Sequence, residues 1–387
     1  MKRVLLIDDK PDFGGIARHC HYLLRTLSSE YQFTVLASNT QSYFDICEEL
    51  GLELIQAHLK TWKEAKECYD SVGITKEKFD LIHTHSTLFA LDLLRAMIDK
   101  DIPIITSRHS VLPADRPYKE GYFLAASVVA MCRQKNNRLI VVSEAVKDAY
   151  SKLGAEPKET IVIPNAVADK YCESKNLCRY DEFEVSRKED NERDKKFLFI
   201  GRLSSDKNPM LAVEAFCSAS RRLKNISLDI IGDGPLRSEL ESVVHKYELQ
   251  DTIRFLGFVE NADELIPEYD ILLNTSPLEA CSYTMIESLM QARPVICGNC
   301  KGNISMFYDG DINLGRNLDN MSKSLHEQAV IFHNGDIESV EKAIIYFAEF
   351  GGDLRNIGKI AREHYLRNFN LEVFRNRHID IYNSLLS

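Results

Sequence analysis

The chain has 387 residues, 44% hydrophobic and 27% charged, which excludes a disordered or fibrous protein and indicates two domains of ordinary size. Its formal net charge of −10 argues against a general nucleic-acid surface. No run approaches the roughly 18 apolar residues of a spanning helix. The apolar run within MKRVLLIDD is too short for the core of a signal peptide. We therefore expect a cytoplasmic protein, with peripheral contact at the inner face of the membrane left open.

The first half alternates short apolar runs with amphipathic helical stretches. Strands are predicted at residues 3–8, 33–38, 52–57, 79–85, 102–109, 138–144 and 160–165. Several of these runs are apolar on both faces, which is typical of parallel strands covered by helices. Residues 173–195 then break the pattern with a dense run of charges, which predicts a solvated linker.

Alternation restarts after this linker. Strands are predicted at residues 196–202, 226–234, 252–259, 269–276 and 293–299. Repeated βαβ units imply an α/β fold with two Rossmann-like, doubly wound parallel-sheet domains. The predicted domains are 1–172 and 196–369, and an amphipathic last helix at 370–387 is expected to join the first. Ligands should bind at the carboxyl ends of the strands.

Two candidate sites follow strands of the first half. Gly14 and Gly15 stand between a strand and a helix, where flexible backbone and free N–H groups favour an anion, although a plain turn is the alternative. His109 ends a strand, where it can donate to a sugar hydroxyl or a developing charge. His83 and His85 form an H-x-H, but without a third ligand nearby we favour hydrogen-bonded loop histidines over a metal site.

The second half has two further loops of this kind. Arg202 and Lys207 lie in a strand-to-helix loop, where two cations can bind a diphosphate, with solvated surface charges as the alternative. The segment 232–234 reads Gly-Asp-Gly but lacks the third glycine of a dinucleotide fingerprint, since Arg237 stands there. We interpret it as a tight turn. The lone C-x-x-C at Cys297 and Cys300 has no second pair to complete a zinc site.

The stretch EACSYTMIE spans a loop and the start of a helix. Ser282 is predicted to cap that helix, so that the N–H groups of Tyr283 and Thr284 offer a second anion site. Glu279 precedes the helix, where it can reach sugar hydroxyls. Glu287 lies about a turn further in, where spacing alone favours a solvated helix face over a contact with ribose.

Together these stretches resemble the retaining, nucleotide-sugar-dependent glycosyltransferases of family 4, which have the GT-B fold. The likeness covers nearly the whole chain, from GGIARH through VVSEAVKDAY, IVIPNAV, FIGRLSSDKNP and IIGDGPL to LLNTSPLEACSYTMIESLMQARPVI. It implies two Rossmann-like domains facing a central cleft, an acceptor-binding first domain and a donor-binding second domain. The chain departs from the pattern at Ala280, where the family often has glycine.

The resemblance also implies roles. The diphosphate contacts would be Gly14, Gly15, Arg202, Lys207, Ser282, Tyr283 and Thr284. Glu279 would contact the donor sugar, Glu287 the ribose, Phe258 the nucleobase, and His109 would lie beside the transferred sugar. The catalytic set would then be His109, Glu279, Arg202 and Lys207. No metal or cofactor is expected, the co-substrate being a UDP- or GDP-sugar, and the D-x-D at residues 309–311 is interpreted as a turn.

The leading hypothesis is a metal-independent hexosyltransferase that acts on a carbohydrate or lipid-linked acceptor in surface polysaccharide synthesis (capsule, lipopolysaccharide or exopolysaccharide). Three alternatives stay open. One is a glycoside hydrolase using the two glutamates, which needs carboxyl groups about 5–5.5 Å or about 6.5–9.5 Å apart. The others are a GT-B-type nucleotide-sugar epimerase and a non-catalytic nucleotide-sugar binder.

Overall fold

The structure is a computed structural model. It describes residues 1–10, 14–59, 61–85, 101–110, 128–130, 136–155, 159–170, 194–307, 325–326, 329–349 and 354–387. By their internal contacts these residues form two compact units, 1–166 with 371–387, and 167–370. Most of the predicted linker and the D-x-D at 309–311 lie outside the described residues.

The described strands are β1 Lys2–Asp8, β2 Tyr31–Ala37, β3 Glu53–Gln56, β4 Leu81–Thr84, β5 Ile104–Arg108, β6 Arg138–Val141, β7 Thr160–Val162, β8 Lys195–Ile200, β9 Ile226–Ile231, β10 Ile253–Gly257, β11 Ile271–Asn274, β12 Val295–Gly298, β13 Leu325–His326 and β14 Ala329–Phe332. The described α-helices are α1 Gly15–Leu27, α2 Phe44–Leu50, α3 Trp62–Val72, α4 Glu144–Ser151, α5 Pro209–Ala219, α6 Arg237–Lys246, α7 Tyr283–Met290, α8 Lys301–Phe307, α9 Ile337–Glu349, α10 Leu354–Asn368 and α11 Leu371–Leu386. Every strand predicted from the sequence overlaps one of β1 to β12. None of the described helices combines the length and apolar character needed to cross a membrane.

The first unit is built on a parallel sheet whose described strands have the order β3-β2-β1-β4-β5-β6-β7. The strand order reverses between β1 and β4, which pair in register from Val4 with Leu81 to Ile7 with Thr84. At such a reversal the loops after the two strands diverge and leave a crevice at the carboxyl ends. Functional side chains in this unit are therefore expected after β1 and β4.

Helix α11 belongs to the core of the first unit. Its inward face is buried at Phe374, His378 and Ile381, and Leu371 and Leu385 pack at the edge of the cluster. Tyr382 is also fully buried and donates or accepts a 2.7 Å hydrogen bond at His83 Nδ1. The last helix of the chain thus completes a core made by its first residues.

The second unit repeats the plan, with the described order β10-β9-β8-β11-β12-β14-β13. All described pairings in this sheet are parallel except that of the two-residue β13 with β14. The reversal here falls between β8 and β11. The predicted fold class is confirmed, and β13 and β14 are strands that the sequence pattern did not reveal.

Candidate functional site

Hydrogen bonds join the loops after β8 and β11, where the strand order of the second unit reverses. Thr275 follows β11, and its hydroxyl donates to the carbonyl oxygens of Asn208 (2.8 Å) and Lys207 (3.2 Å) in the loop after β8. Asn208 has φ of +46°, and Pro209 is the first residue of α5. The left-handed residue and the proline end the loop abruptly, so Lys207 is held at the carboxyl edge of the sheet.

Lys207 and Glu279, both predicted site residues, are brought into contact. Lys207 Nζ lies 2.6 Å from Glu279 Oε1, and the side chains are 33% and 12% exposed. A charge-assisted bond of this length between partly shielded groups fixes both side chains. Arg202, on the same loop as Lys207, is exposed. The hydrogen bond from Ser204 is the main cause that lowers the pKa of Asp206, and the nearby charge of Arg202 adds to this shift.

The start of α7 differs in detail from the prediction. Ser282 is the N-cap residue, but its side chain makes no capping hydrogen bond. Its hydroxyl oxygen instead lies 3.0 Å from Thr284 Oγ1 and accepts at 3.4 Å from the amide of Asn274. The predicted side-chain cap is therefore wrong. The position of the helix start is right, and its first N–H groups have no intrahelical acceptor.

Glu287 is buried, with 4% of its surface exposed. The solvated helix face that spacing favoured is therefore wrong. A carboxylate on α7 that faces inward retains its charge only with polar partners, which is consistent with a ligand-facing or structural role.

Gly302, which sequence reasoning missed, supports the Glu279 loop. A Cβ atom at this position of α8 would lie 1.8 Å from the carbonyl oxygen of Glu279 and 3.1 Å from Cα of Ala280. Only glycine lets the helix approach the loop this closely. The only sequence feature that points to this glycine is the Gly-Asn pair that it begins, shortly after the predicted strand at 293–299.

The turn at 232–234 is a packing turn between loops, in agreement with its interpretation as a tight turn. Gly232 has φ of +132°, and a Cβ there would lie 1.9 Å from the carbonyl oxygen of Gly201. Gly232 N donates to Gly257 O at 2.7 Å, so the loop that carries Phe258 is bound to the same turn. Phe258 itself is 80% exposed, which leaves its ring face available to a ligand.

Cys297 and Cys300 are free, buried thiols. Burial raises the pKa of both, most strongly for Cys297 inside β12, so neither is an activated thiolate. Within the described ranges no metal-binding group includes them.

In the first unit, Gly14 caps α1 with extended backbone (φ −148°), and its Cβ position is open. Neither Gly14 nor Gly15 has positive φ, so the left-handed backbone that glycine permits is not used here. The helix start is exposed, and its free N–H groups still favour an anion.

His109 follows β5 and lies in a buried group of histidines. Its Nε2 is 2.8 Å from Nδ1 of His85, which follows β4. Burial lowers the pKa of both rings well below the usual histidine value, and the surrounding imidazoles and Arg108 add to the shift. Both rings are neutral at pH 7, so His109 can accept or donate a hydrogen bond but carries no charge.

His83 and His85 do not act as a pair. His83 lies within β4, with Nδ1 bonded to Tyr382 and Nε2 bonded to Ser107 Oγ at 2.7 Å each. It is therefore a hydrogen-bonded strand residue and not a loop histidine. His85 has instead two other neighbours with ligating nitrogens, His19 of α1 and His109. The missing third ligand that argued against a metal site is thus present, from a helix distant in sequence.

Two family models match the chain. The model described as Glycosyltransferase Family 4 matches residues 13–171, and that described as Glycosyl transferases group 1 matches residues 181–364. Together they cover most of the sequence, one in each half.

Curated relatives with long matches include proteins named as glycosyltransferases. An uncharacterized glycosyltransferase of Methanocaldococcus jannaschii is 23% identical over 67% of this chain and 65% of its own. A Campylobacter jejuni α-1,4-N-acetyl-D-galactosaminyltransferase, whose name includes a diNAcBac-PP-undecaprenol acceptor, is 26% identical over 75% and 77%. The chain thus spans slightly less than two thirds of the first relative's length.

Solved structures share the fold along the whole chain. A glycosyltransferase of Rickettsia africae superposes with a TM-score of 0.76 at 18% identity, covering 100% of this chain and 99% of its own. Anabaena HepE in complex with UDP gives 0.75 at 15% identity, covering 99% and 100%. With its two parallel-sheet α/β domains and both family models matched, the chain belongs to the family 4, group 1 glycosyltransferases and has the GT-B fold.

Proposed function

We propose that the protein is a retaining glycosyltransferase that moves a hexose-type sugar from a nucleoside diphosphate to a carbohydrate or lipid-linked acceptor. The observation that carries this is the Lys207–Glu279 pair, 2.6 Å apart beside the start of α7. A cation, a carboxylate and a helix N-terminus at one sheet edge match the diphosphate and the sugar of such a donor.

Each group has a role in the transfer. Lys207 and Arg202, with the N–H groups of Tyr283 and Thr284, bind the diphosphate and stabilise the charge that grows on it as it departs. Glu279 accepts from hydroxyls of the sugar and orients it. The bond from the anomeric carbon to the diphosphate oxygen breaks, the acceptor oxygen bonds to that carbon on the same face, and its proton passes to the leaving phosphate.

Glu287 and Phe258 extend the proposal to the nucleoside. Glu287, buried within α7, accepts from ribose hydroxyls, and the exposed ring of Phe258 stacks on the base. The resemblance to the family is what supports two further roles, that of His109 beside the transferred sugar and that of Gly14–Gly15 at the diphosphate.

The donor base and acceptor class are proposed from relatives. The Anabaena structure contains UDP, and the name of the Campylobacter protein specifies an undecaprenol-diphosphate-linked acceptor. We therefore propose a UDP-sugar donor, with a GDP-sugar as the second choice. The acceptor would be a lipid-linked or free glycan of surface polysaccharide assembly, reached at the inner face of the membrane.

The test begins with nucleotide binding. UDP, GDP and ADP are each added at millimolar concentration, and the melting temperature of the wild type is compared with those of Lys207→Ala and the exposed control Lys224→Ala. A ligand at 100 times its Kd stabilises the fold by about 2.7 kcal/mol, so one nucleotide should raise melting by several degrees in wild type and control. No shift with any nucleotide would refute the donor site.

Transfer is then separated from the alternatives by its dependence on acceptor. A transferase releases free nucleoside diphosphate at a rate that rises with added acceptor. An epimerase interconverts donor sugars without acceptor, and a non-catalytic binder does neither. Release that does not respond to any acceptor of a glycan and lipid-linked panel would contradict the transferase.

A further inference from the structure

Five histidines from four elements cluster inside the first unit: His19 on α1, His83 on β4, His85 after β4, His109 after β5 and His378 on α11. Their rings stack or meet edge to face, with centroids of neighbouring pairs such as His19–His109 and His83–His85 at 4.6 and 4.7 Å. The proposed transfer uses only His109 of this group. The other four histidines have no role in that transfer.

His19 presents an unshared electron pair. Its Nδ1 lies 3.1 Å from the amide oxygen of Asn165, which can only accept, so the ring proton is on Nδ1. Nε2 is then a bare acceptor, buried and without a hydrogen-bond partner among the described residues. An imidazole whose other ring nitrogen donates to a protein oxygen, as here, is typical of a metal ligand.

His85 and His109 share one proton between their facing nitrogens, 2.8 Å apart. In either tautomer the outer nitrogens, His85 Nε2 and His109 Nδ1, are buried and have no partner within the part of the chain described. An ion that binds the two facing nitrogens would take the place of the shared proton, which moves to the outer nitrogen of its own ring, and His19 Nε2 is the buried acceptor that would supply the third ligand.

The spacing of the three rings suits one ion. One ring nitrogen from each of His19, His85 and His109 lies within 4.8 Å of the other two. Ligands at Zn–N distances near 2.0 Å in tetrahedral geometry stand about 3.3 Å apart, so side-chain movements of roughly 1 Å complete the site. His19 and His85 are buried and His109 is half-buried.

We propose that His19, His85 and His109 bind one divalent transition-metal ion of the Zn²⁺ or Co²⁺ type, with water or an anion as the fourth ligand. Three neutral imidazoles select such ions over Mg²⁺ or Ca²⁺, which require oxygen ligands. The positive charge of Arg108 lies near His85 and His109, so we expect weaker binding than in a closed structural zinc site.

Metal binding by these histidines is separate from the proposed transfer and can be measured by binding alone. It has one consequence for that function: an ion held by His109 withdraws the ring from any contact with a sugar. The site would then be inhibitory and not catalytic.

The experiment titrates Co²⁺ into the chelator-treated full-length chain and follows the visible d–d absorption, with Zn²⁺ calorimetry in parallel. His85→Asn and His109→Ala each remove one ligand. His83→Asn is the matched control, since it lies in the same cluster and both its ring nitrogens already have partners. Melting without metal checks that each variant folds.

We expect one equivalent of ion per wild-type chain, with intense tetrahedral-type Co²⁺ bands and a metal-dependent rise in melting temperature. Affinity should fall about tenfold or more in His85→Asn and His109→Ala and stay near wild type in His83→Asn. If His85→Asn does not fold, the half-buried His109→Ala decides alone. A wild type that binds no ion, or ligand variants that bind like the wild type, would overturn the proposal.

Discussion

Lys207 Nζ and Glu279 Oε1 lie 2.6 Å apart, so the two groups proposed to act on opposite ends of a donor neutralise each other in the unliganded protein. A diphosphate must compete with Glu279 for this cation. The pair therefore links the phosphate contact to the sugar contact, and changing one partner should alter the behaviour of the other.

Lys207→Ala should lower turnover about 10²-fold or more. The variant loses a positioned charge from the transition state, where such charges have their largest effect, and leaves the partly buried Glu279 without its cation. The rate of nucleoside diphosphate release with donor and acceptor measures it. Lys224→Ala, an exposed lysine of the same unit, should match the wild type. A fully active Lys207→Ala would exclude this lysine from the site.

Glu279→Gln should separate binding from transfer. Without the carboxylate charge, Lys207 is free for phosphate, so the Kd for the bare nucleoside diphosphate should stay unchanged or decrease. Turnover should still fall by about 10²-fold, because the sugar loses a charged acceptor. Calorimetry with the nucleotide and steady-state kinetics give the two values. Equal weakening of both would mean that Glu279 supports the fold of the loop and does not contact the sugar.

Gly302→Ala should displace the Glu279 loop. The added methyl group would lie 1.8 Å from Glu279 O, so the backbone must move. We expect a loss of about 1–3 kcal/mol in stability, as for other overpacked positions, and a fall in turnover. Gly14→Ala is the control for stability, since its Cβ position is open and its φ is ordinary. Unchanged stability and turnover in Gly302→Ala would show that the loop adapts.

Phe258→Ala tests the nucleobase contact at little structural risk. A side chain that is 80% exposed can be truncated within about 0.5 kcal/mol of wild-type stability. Loss of base stacking should weaken donor binding by about 1–3 kcal/mol, seen as a higher Kd for the nucleotide. Leu256→Ala, at 42% exposure on β10, is the control. If nucleotide affinity survives in Phe258→Ala, the base lies elsewhere.

Asp8→Asn should flatten the pH dependence of stability. Burial raises the pKa of Asp8 from 3.8 to about 6, although the Tyr43 hydroxyl and the Lys10 N–H donate to it, and the charge of Asp9 adds to the rise. The folded state thus binds the proton more tightly than the unfolded state. The resulting stability is present below the unfolded pKa and is lost as pH rises through the folded pKa of about 6.

Between about pH 5 and pH 7.5 the free energy of unfolding of the wild type should fall by about 1.4 kcal/mol because of this one carboxyl. Asp8→Asn should not show this fall. Denaturant unfolding at both pH values measures the difference, with exposed Asp251→Asn as the control. Parallel pH profiles for wild type and Asp8→Asn would mean that the carboxyl is already ionised in the folded state at pH 5.

Strand positions could be predicted because each buried strand is a short apolar run between polar helix faces. The two-residue β13 is too short to show a period, whereas β14 is a four-residue apolar run, as long as several strands that were predicted, and was overlooked. Contacts between distant residues were also out of reach. No spacing rule joins His19 to His85, or Gly302 to Glu279, because loops and helices bring these residues together only when the sheets form.

The same limit explains the errors at Ser282 and Glu287. Residue type marked the helix start correctly, but the hydroxyl of Ser282 is occupied by Asn274 and Thr284. Helical spacing places Glu287 on a face, but only the packing of α7 decides that this face is buried.

Because helix α11 belongs to the first unit, that unit can complete its core only late in translation. Phe374 and Tyr382 are buried in the core that residues 1–166 begin, whereas the second unit is one continuous segment, 167–370. On the ribosome the second unit can therefore close before the first is complete. The amino-terminal half must wait, with part of its apolar core uncovered, until residues 371–387 have left the exit tunnel, and a chain truncated before Leu371 would lack that part of the core.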